Sequence, residues 1–422
     1  MEGKHLDSNH VNVYFIDEYD SSRQNGIGTF RDVLLPLLSE YDEIDLNLVS
    51  LNSDSLEFLI RRRDFGTEYK LPSIEKGNWR DNGERIMEMM QTYISDGCNN
   101  LFILNHSPCA PFIDVIKKCY PASKVIFIIH DQGWCEPLFG DIHLLAMIEK
   151  GKCPSIVSQR TFRYVSDYCR KEREIYERAD KIVCLSDSTE RILSEIYKVP
   201  RNKTVKIYNG YGGFEMKRVS RTQARNRLGV NEDDELIMFV ARPVRYKGIE
   251  PLLYALRSLR KTHPKVRCVL AGSMRGFMGF QNLEKPVASN LIFAGFLDRK
   301  ELSLWYAAAD VGVMSSYSEQ CSFAALEMIK SGVTVVSSNG NGLCDMFHDG
   351  INARVVDVGS VINMESYGKR LAKGIADAME MQESDRNALL ANNRHLLRTK
   401  YSPRKMAENY YNLIMSLAGF TT

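Results

Sequence analysis

Residues 311–327 read VGVMSSYSEQCSFAALE and contain the pattern from which the fold is predicted. The apolar run Val311–Met314 predicts a strand buried on both faces, as the strands of a parallel sheet are. The polar residues after it predict a loop, and a helix is expected to begin near Cys321. Glu319 would then lie in the loop, and Glu327 about two turns into the helix. A strand, a loop and a helix in this order form the unit of a doubly wound α/β sheet.

The same alternation of apolar runs and amphipathic stretches continues along the whole chain. Strands are predicted at Val11–Ile16, Leu46–Leu51, Leu101–Leu104, Val125–Ile129, Ile182–Leu185, Val205–Tyr208, Leu236–Ala241, Val266–Ala271, Leu291–Phe293 and Val333–Ser337. A turn-rich stretch at residues 209–213 divides the series, and a final helix is predicted over Pro403–Leu417. A chain of 422 residues is long enough for two domains. The sequence therefore predicts two doubly wound, Rossmann-like domains, residues 1–213 and 214–401, followed by a last helical segment, 402–422.

Composition and charge favour a globular protein that binds neither nucleic acid nor structural zinc. Hydrophobic residues make up 44% and charged residues 26%, and the formal net charge of +2 produces no strong overall field. The ten cysteines include no Cys-x-x-Cys spacing, so reduced thiols in a cytosolic protein are expected. No apolar run approaches the length of a membrane span. A peripheral contact with the inner face of a membrane stays open, because it needs only a basic amphipathic surface.

Two cations follow the first predicted strand of the second half. In residues 239–248, FVARPVRYKG, Arg242 and Lys247 stand between the end of that strand and a helix expected to begin near Gly248. Cations at the carboxyl end of a strand and beside a helix N-terminus form a site for a diphosphate. Surface cations next to a turn are the alternative interpretation of the same residues.

The two glutamates of the first stretch suit hydroxyl-bearing ligands. Glu319 in the loop could accept from the hydroxyls of a sugar, and Glu327 from those of a ribose. The free amides of Ser322 and Phe323, near the start of the helix, would point at anionic oxygens. Taken alone, Glu327 can also be interpreted as an ordinary helix glutamate.

The order and spacing of these two cations and two glutamates resemble those of the retaining glycosyltransferases of the GT-B fold, in particular the large family 4, or group 1. That family has Arg and Lys five residues apart after the first strand of its second domain, matched by Arg242 and Lys247. It also has two glutamates separated by seven residues, matched by Glu319 and Glu327. Residues 293–296, FAGF, resemble its F-x-G segment, which brings Phe296 into the expected donor site.

The first half has two further elements at the positions that the family implies. Residues 25–30, NGIGTF, follow the first predicted strand and open a helix, and glycine there lets the backbone approach a phosphate closely. Gly26, Gly28 and Thr29 are therefore assigned to donor binding, with a plain turn as the alternative. His130 ends the fourth predicted strand, where the family has a histidine near the donor sugar. A structural histidine is the alternative there.

The resemblance implies a reaction and an arrangement of the chain. A hexose-type sugar would be transferred with retention from a nucleotide-sugar, with UDP favoured and GDP as the alternative, to a glycan, a lipid-linked sugar or a polypeptide. Residues 1–213 would be the acceptor side and residues 214–401 the donor side of a cleft, and the segment 402–422 would pack back on the first domain. Four residues are expected to be catalytic and others to bind the donor. The catalytic set is His130, Arg242, Lys247 and Glu319, and the donor set also contains Gly26, Gly28, Thr29, Phe296, Ser322, Phe323 and Glu327.

Departures from the family pattern leave the donor and the exact activity open. Many members read Glu-Gly-Phe-Gly-Leu where this chain has Glu319-Gln320-Cys321-Ser322-Phe323, so both glycines are replaced. The chain has no Asp-x-Asp, the metal-binding motif of the other main glycosyltransferase fold, and neither a metal nor another cofactor is expected. Two alternatives stay open: a nucleotide-sugar epimerase of the same fold, and a non-catalytic sugar-nucleotide binding subunit.

Overall fold

The protein is represented by a computed structural model, which describes residues 10–18, 26–73, 79–94, 99–105, 110–212, 219–242, 244–273, 285–360 and 363–420. The chain divides into two compact units. Unit 1 comprises Met1–Gln132, Ala146–Gly210 and Ser402–Thr422, and unit 2 comprises Gly133–Leu145 and Tyr211–Tyr401. Among the described helices, none combines the length and the apolar character that a membrane crossing requires.

Within the described residues, unit 1 contains an eight-stranded sheet. Its strands are β1 (Val11–Glu18), β2 (Ile44–Ser53), β3 (Leu59–Arg63), β4 (Gly66–Pro72), β5 (Asn100–Asn105), β6 (Lys124–Ile129), β7 (Lys181–Cys184) and β8 (Thr204–Lys206). They lie in the order β3-β4-β2-β1-β5-β6-β7-β8, and neighbours are parallel except β3 and β4. The six strands predicted for this half are confirmed. The hairpin β3–β4 was not predicted, because β3 is largely exposed and its sequence, LIRRR, has no apolar run.

Helices cover this sheet because the amphipathic stretches between the strands have one apolar side to bury. In chain order the helices of this half are α1 (Gly26–Leu38), α2 (Trp79–Met90), α3 (Ala110–Cys119), α4 (Ile142–Glu149), α5 (Gln159–Arg178) and α6 (Asp187–Glu195), of which α4 begins in unit 2 and ends in unit 1. On α1 the side chains of Phe30, Leu34 and Leu38 are fully buried, with a spacing of four residues that places them on one face.

Within the described residues, unit 2 contains a six-stranded sheet that is parallel throughout. Its strands are β9 (Glu235–Val240), β10 (Val266–Ala271), β11 (Leu291–Gly295), β12 (Val311–Met314), β13 (Thr334–Ser338) and β14 (Arg354–Val356), in the order β11-β10-β9-β12-β13-β14. Its helices are α7 (Arg221–Leu228), α8 (Ile249–Leu259), α9 (Arg299–Ala308), α10 (Phe323–Ser331), α11 (Leu343–Met346), α12 (Met364–Met379) and α13 (Glu383–Thr399). The predicted strands are again confirmed, and the short β14 was not predicted. Buried side chains of α8 and α12 pack with those of the strands in one apolar core.

The last helix, α14 (Pro403–Leu417), has the predicted bounds. Ser402 caps it by accepting from the Lys405 amide at 3.4 Å, and Pro403 stands at its first position, where no amide donor is needed. The helix belongs to unit 1 and packs on α1. Gly210 lies so close to this helix that a Cβ there would collide with the backbone of Pro403, and its amide donates to Met406 Sδ at 3.1 Å.

One segment lies in a different unit from the one that the sequence suggests. Residues 133–145 fall inside the predicted first domain, whereas the structure groups Gly133–Leu145 with unit 2. Side-chain contacts explain this grouping. The Phe139 ring meets Tyr317 edge-on at 5.3 Å between centroids, and the Gly140 carbonyl accepts from Asn341 Nδ2 at 2.5 Å. The proposed boundary at Gly213 lies outside the described residues.

A buried arginine connects the elements around β9. Arg225 on α7 is fully buried. Its guanidinium donates to Asp310 Oδ2 at 2.7 Å and to the carbonyl oxygens of Asn231, Glu232, Asp234 and Ala308 at 2.8–3.0 Å. The same oxygen of Asp310 accepts from the Leu236 amide at 2.7 Å. Arg225 and Asp310 therefore tie α7 and the segment before β12 to the start of β9, which makes both of them structural residues.

Replacing Arg225 with Met is expected to lower the free energy of unfolding by about 3–5 kcal/mol, measured by urea denaturation. The substitution removes a donor from four carbonyl groups and the buried ion pair from Asp310. Arg227, exposed on the same helix, gives the control, and Arg227→Met should change stability by less than about 0.5 kcal/mol. Equal losses in the two variants would contradict the structural role of Arg225.

Candidate functional site

The candidate residues of the second half follow the two central strands of the unit 2 sheet. From β9 the chain proceeds outward through β10 to β11 on one side, and from β12 through β13 to β14 on the other. Ligands of doubly wound sheets bind at the carboxyl ends of the strands where the direction reverses in this way. Arg242 and Lys247 follow β9, and Glu319 follows β12, so the topology brings all three to this position.

An ion pair joins the segments that follow the two strands. Lys247 Nζ lies 2.8 Å from Glu319 Oε1, and the two side chains are only 13% and 11% exposed. Ser316 Oγ donates to the same carboxylate oxygen at 2.7 Å. The sequence assigned Lys247 to the diphosphate and Glu319 to the sugar as separate contacts, whereas in the structure the two side chains contact each other.

Tyr246 connects the two cations that the sequence singled out. Its side chain is buried, and its hydroxyl accepts from Arg242 Nη2 at 3.2 Å. Lys247 Nζ lies 4.9 Å from the centroid of its ring, which is a cation–π distance. Tyr246 therefore orients both cations. The sequence analysis did not identify it, although it stands between them in the same stretch, because a single buried tyrosine in a short 3₁₀ helix, Arg245–Lys247, has no distinctive pattern.

Two glycines allow neighbouring segments to hold the loop that carries Glu319. Gly248 has φ +77°, and a Cβ there would collide with the carbonyl oxygen of Ser315. Gly342 has φ +75°, and a Cβ there would collide with the carbonyl oxygen of Glu319. The Glu319 amide also donates to the Asn341 carbonyl at 2.9 Å. The loop backbone is thus fixed from outside, although both glycines of the family's own loop sequence are replaced.

The helix that follows the loop begins at Phe323, two residues later than the predicted Cys321. Ser322 is its N-cap and accepts from the Ala325 amide at 3.4 Å. The amides of the first turn have no partner within a helix and give this end a partial positive charge. Because the helix starts directly after the Glu319 loop, that positive charge lies at the carboxyl ends of the strands, as Lys247 and Arg242 do.

Glu327 lies on α10 in a second cluster, which contains two tyrosines. The Tyr306 hydroxyl of α9 donates to Glu327 Oε2 at 3.1 Å. Burial raises the pKa of Glu327 from 4.5 to about 7, while the Tyr306 hydrogen bond and the charge of Arg299 oppose the shift. Burial, and then the charge of Glu327, also raise the pKa of Tyr211. Glu327 is therefore not a solvated helix glutamate. Nothing in the sequence indicated Tyr306, which is 21 residues from its partner.

The glycine-rich stretch of the first half opens a helix, as predicted. α1 begins at Gly26, which is exposed, while Gly28 is buried and Thr29 partly buried in its first turn. This turn follows β1, next to the point in the unit 1 sheet where the strand order reverses between β1 and β5. Asn25 lies outside the described residues. The assignment of Gly26, Gly28 and Thr29 to donor binding stays a prediction.

His130 directly follows β6 in unit 1 and is partly buried. Its Nε2 lies 2.5 Å from Oδ1 of Asn105, the last residue of β5. The Phe30 ring of α1 contacts the imidazole edge-on, with 4.8 Å between centroids. The histidine is therefore held in one orientation at the carboxyl ends of two neighbouring strands. Its catalytic role stays a prediction.

Phe296 occupies a peripheral position in unit 2. It follows β11, the edge strand, and is 59% exposed. Because β10 lies between β11 and β9, the end of β11 that leads to Phe296 is roughly 10 Å from the strand that leads to Arg242.

Within the described residues, no group of three or more His, Cys, Asp and Glu side chains is arranged to hold a metal ion.

Replacing Glu327 with Gln is expected to stabilise the protein more at pH 8 than at pH 5.5, by a difference of about 2 kcal/mol. With a pKa of about 7, the folded protein keeps a proton on Glu327 that the unfolded chain releases near pH 4.5. The stability of the wild type therefore falls as the pH rises between these two values and stays lower above them, whereas Gln carries no charge at either pH.

Urea denaturation of both proteins at the two pH values measures this difference. Glu383→Gln, an exposed change on α13, is the control and should have the same small effect at each pH. If Glu327→Gln changed stability equally at pH 5.5 and pH 8, the carboxyl group would not be buried as described.

Comparison with known proteins identifies the part of the chain that contains this site. Residues 220–395 match the family model of glycosyl transferases group 1. Relatives include an uncharacterized glycosyltransferase of Methanocaldococcus jannaschii, 28% identical over 246 residues, with 53% of this chain and 60% of the relative covered. A D-inositol 3-phosphate glycosyltransferase of Nocardioides sp. is 25% identical over 293 residues, which cover 62% of each chain. This chain thus spans about three fifths of the length of these curated relatives.

Solved structures resemble the protein along almost its whole length. Sucrose-phosphate synthase from Thermosynechococcus elongatus has a TM-score of 0.73 at 18% identity, covering 97% of this chain and 100% of that one. Anabaena HepE, solved in complex with UDP and glucose, has a TM-score of 0.67 at 16% identity, covering 96% and 100%. At such identities the likeness shows the fold alone. The chain therefore has the GT-B fold, with two Rossmann-like units and a last helix that returns to the first, and its residues 220–395 match the model of the glycosyl transferases group 1 family.

Proposed function

We propose that the protein is a retaining glycosyltransferase that transfers a hexose-type sugar from a nucleotide-sugar donor, with UDP favoured over GDP as the nucleotide. The acceptor would be a glycan, a lipid-linked sugar or a polypeptide. The observation that carries the proposal is the cluster after β9 and β12, in which Tyr246 contacts Arg242 and Lys247, and Lys247 contacts Glu319. Two cations and a carboxylate at this position suit a diphosphate and a sugar.

The chemical step breaks the bond between the anomeric carbon and a diphosphate oxygen. Negative charge then develops on the departing nucleoside diphosphate, where Lys247, Arg242 and the first amides of α10 would stabilise it. The acceptor hydroxyl would form the new bond on the same face of the sugar, and its proton would pass to the departing phosphate oxygen. Charge that is already oriented before the reaction is effective because it needs no reorganisation during the step.

The two glutamates would bind the two hydroxyl-bearing parts of the donor. Glu319 would accept from the transferred sugar, and Glu327 from the ribose. The raised pKa of Glu327 reflects the loss of hydration of its carboxylate, which hydroxyl donors of a ribose would offset. His130, held by Asn105 in unit 1, would contact the donor sugar.

A thermal-shift screen with UDP, GDP and ADP sugars tests the proposal first, because a ligand of the native state raises the melting temperature. UDP release is then measured with and without candidate acceptors. Release that depends on an acceptor supports a transferase. Conversion of the donor into an epimer without UDP release would identify an epimerase, and binding without either reaction a non-catalytic subunit.

Replacing Lys247 with Met is expected to lower the rate constant of UDP release by about 10²-fold or more. Lys247 would contact the diphosphate whichever sugar is attached, and its charge matters most as the leaving group departs. Arg245→Met in the same short helix is the matched control, because Arg245 is 59% exposed and pairs with Glu250. Its rate should stay within about twofold of the wild type. Similar losses in both variants would show that the helix, and not the Lys247 charge, matters.

Donor binding and turnover are expected to continue in the presence of EDTA. The physical reason is that Lys247, Arg242 and the N-terminus of α10 would together supply the positive charge that a divalent ion supplies in other enzymes. The measurement compares UDP release in EDTA with release in Mg²⁺ or Mn²⁺. A strict requirement for either ion in the purified protein would contradict this mechanism.

A further inference from the structure

The ammonium group that would bind the diphosphate already contacts a carboxylate. Lys247 Nζ is 2.8 Å from Glu319 Oε1, and both side chains are nearly nine-tenths buried, so water screens the pair only weakly. An anion that approaches Lys247 must also approach Glu319. The carboxylate therefore opposes diphosphate binding in two ways, because it neutralises the cation and it repels the anion.

Glu319 is held in this position by its own loop. Ser316 Oγ donates to Oε1 at 2.7 Å, and the Glu319 amide donates to the Asn341 carbonyl at 2.9 Å. On the far side, Gly342 lies against the Glu319 carbonyl, where a Cβ would not fit. Turning the carboxylate away from Lys247 would break the hydrogen bond to Ser316, so an arriving diphosphate has to compete with Glu319 for the cation.

Two contacts of the Glu319 carboxylate are made by the same oxygen. Lys247 Nζ at 2.8 Å and Ser316 Oγ at 2.7 Å both lie against Oε1. A sugar hydroxyl could therefore donate to Oε2 while Oε1 keeps its contacts. Such a bond stabilises the charged carboxylate and offsets its repulsion of the phosphates. A nucleoside diphosphate without a sugar offers no donor of this kind and meets the full repulsion.

We propose that Glu319 is an internal counter-ion of Lys247 that weakens the binding of free nucleoside diphosphate relative to the sugar-bearing donor. The inference rests on the proposed function, since it takes this cluster as the nucleotide-sugar site. It adds a preference for the sugar-bearing donor over free nucleoside diphosphate, which the residue types alone do not predict. Once the sugar has been transferred, Glu319 can pair with Lys247 again, and the diphosphate product is released more readily.

Replacing Glu319 with Gln, with UDP and UDP-glucose as the probes, tests the inference. The variant removes the counter-ion but keeps the size of the side chain, so the affinity for UDP is expected to rise about tenfold or more. The affinity for UDP-glucose should rise less, because its hydroxyls lose a charged acceptor. The preference for UDP-glucose over UDP, measured by isothermal titration calorimetry, should therefore fall.

A double-mutant cycle assigns the effect to the pair. In a Lys247→Met background the gain from Glu319→Gln should shrink to about twofold or less, since no cation remains to be released. Glu365→Gln is the control for net charge, because Glu365 is exposed in the same unit and pairs with Lys369 at 3.0 Å. It should leave UDP affinity unchanged. Glu319→Asp keeps the charge on a shorter arm and should bind UDP with intermediate affinity.

Three results would overturn the inference. The first is UDP affinity in Glu319→Gln no higher than in the wild type, with an unchanged melting temperature. The second is an equal gain in the Lys247→Met background. If Glu319→Gln does not fold, Glu319→Asp is measured in its place. The third result is a UDP affinity of Glu319→Asp at or below that of the wild type. If UDP, GDP and ADP all fail to bind the wild type, the proposed function itself is wrong, and the inference with it.

Discussion

The ion pair between Lys247 and Glu319 depends on the reversal of strand order between β9 and β12, and the cluster proposed to bind the diphosphate and the sugar is built around that pair. Two segments about seventy residues apart in the sequence meet because their strands are neighbours in the sheet. Gly248 permits the close approach of the two backbones at this point. Tyr246 then adds Arg242 to the pair, and α10 begins directly behind the loop that carries Glu319.

The site carries charges that the surrounding structure must support. Glu327 is buried far enough for its pKa to reach about 7, and Lys247 and Glu319 are largely removed from water. Such groups reduce the stability of the folded protein and persist where function requires them. Away from the site, Arg225 shows the opposite arrangement, since all its recorded partners are acceptors that it satisfies within the fold. The two arrangements therefore differ in their effect on stability, which the buried charges of the proposed donor site lower and the hydrogen bonds of Arg225 raise.

Prediction from the sequence succeeded where an element has an apolar pattern of its own. Val266–Ala271, Val311–Met314 and Pro403–Leu417 were predicted with the bounds that the structure shows. It failed for β3, an exposed strand that is stabilised by pairing with β4 and has little apolar surface. It also did not anticipate that residues 133–145 lie with unit 2, where they contact Tyr317 after β12 and Asn341 after β13. A pattern of hydrophobic residues contains no information about such partners.

The sequence by itself determined the alternation of strands and helices and the kinds of side chain that follow β9 and β12. The alternation follows because apolar runs are buried under helices, and the side chains at 242, 247, 319 and 327 are given by the sequence itself. Only the tertiary structure decided that Lys247 pairs with Glu319 and that Tyr306 binds Glu327. Those contacts join residues 72 and 21 positions apart, and they depend on which strands are neighbours and on how side chains pack between them.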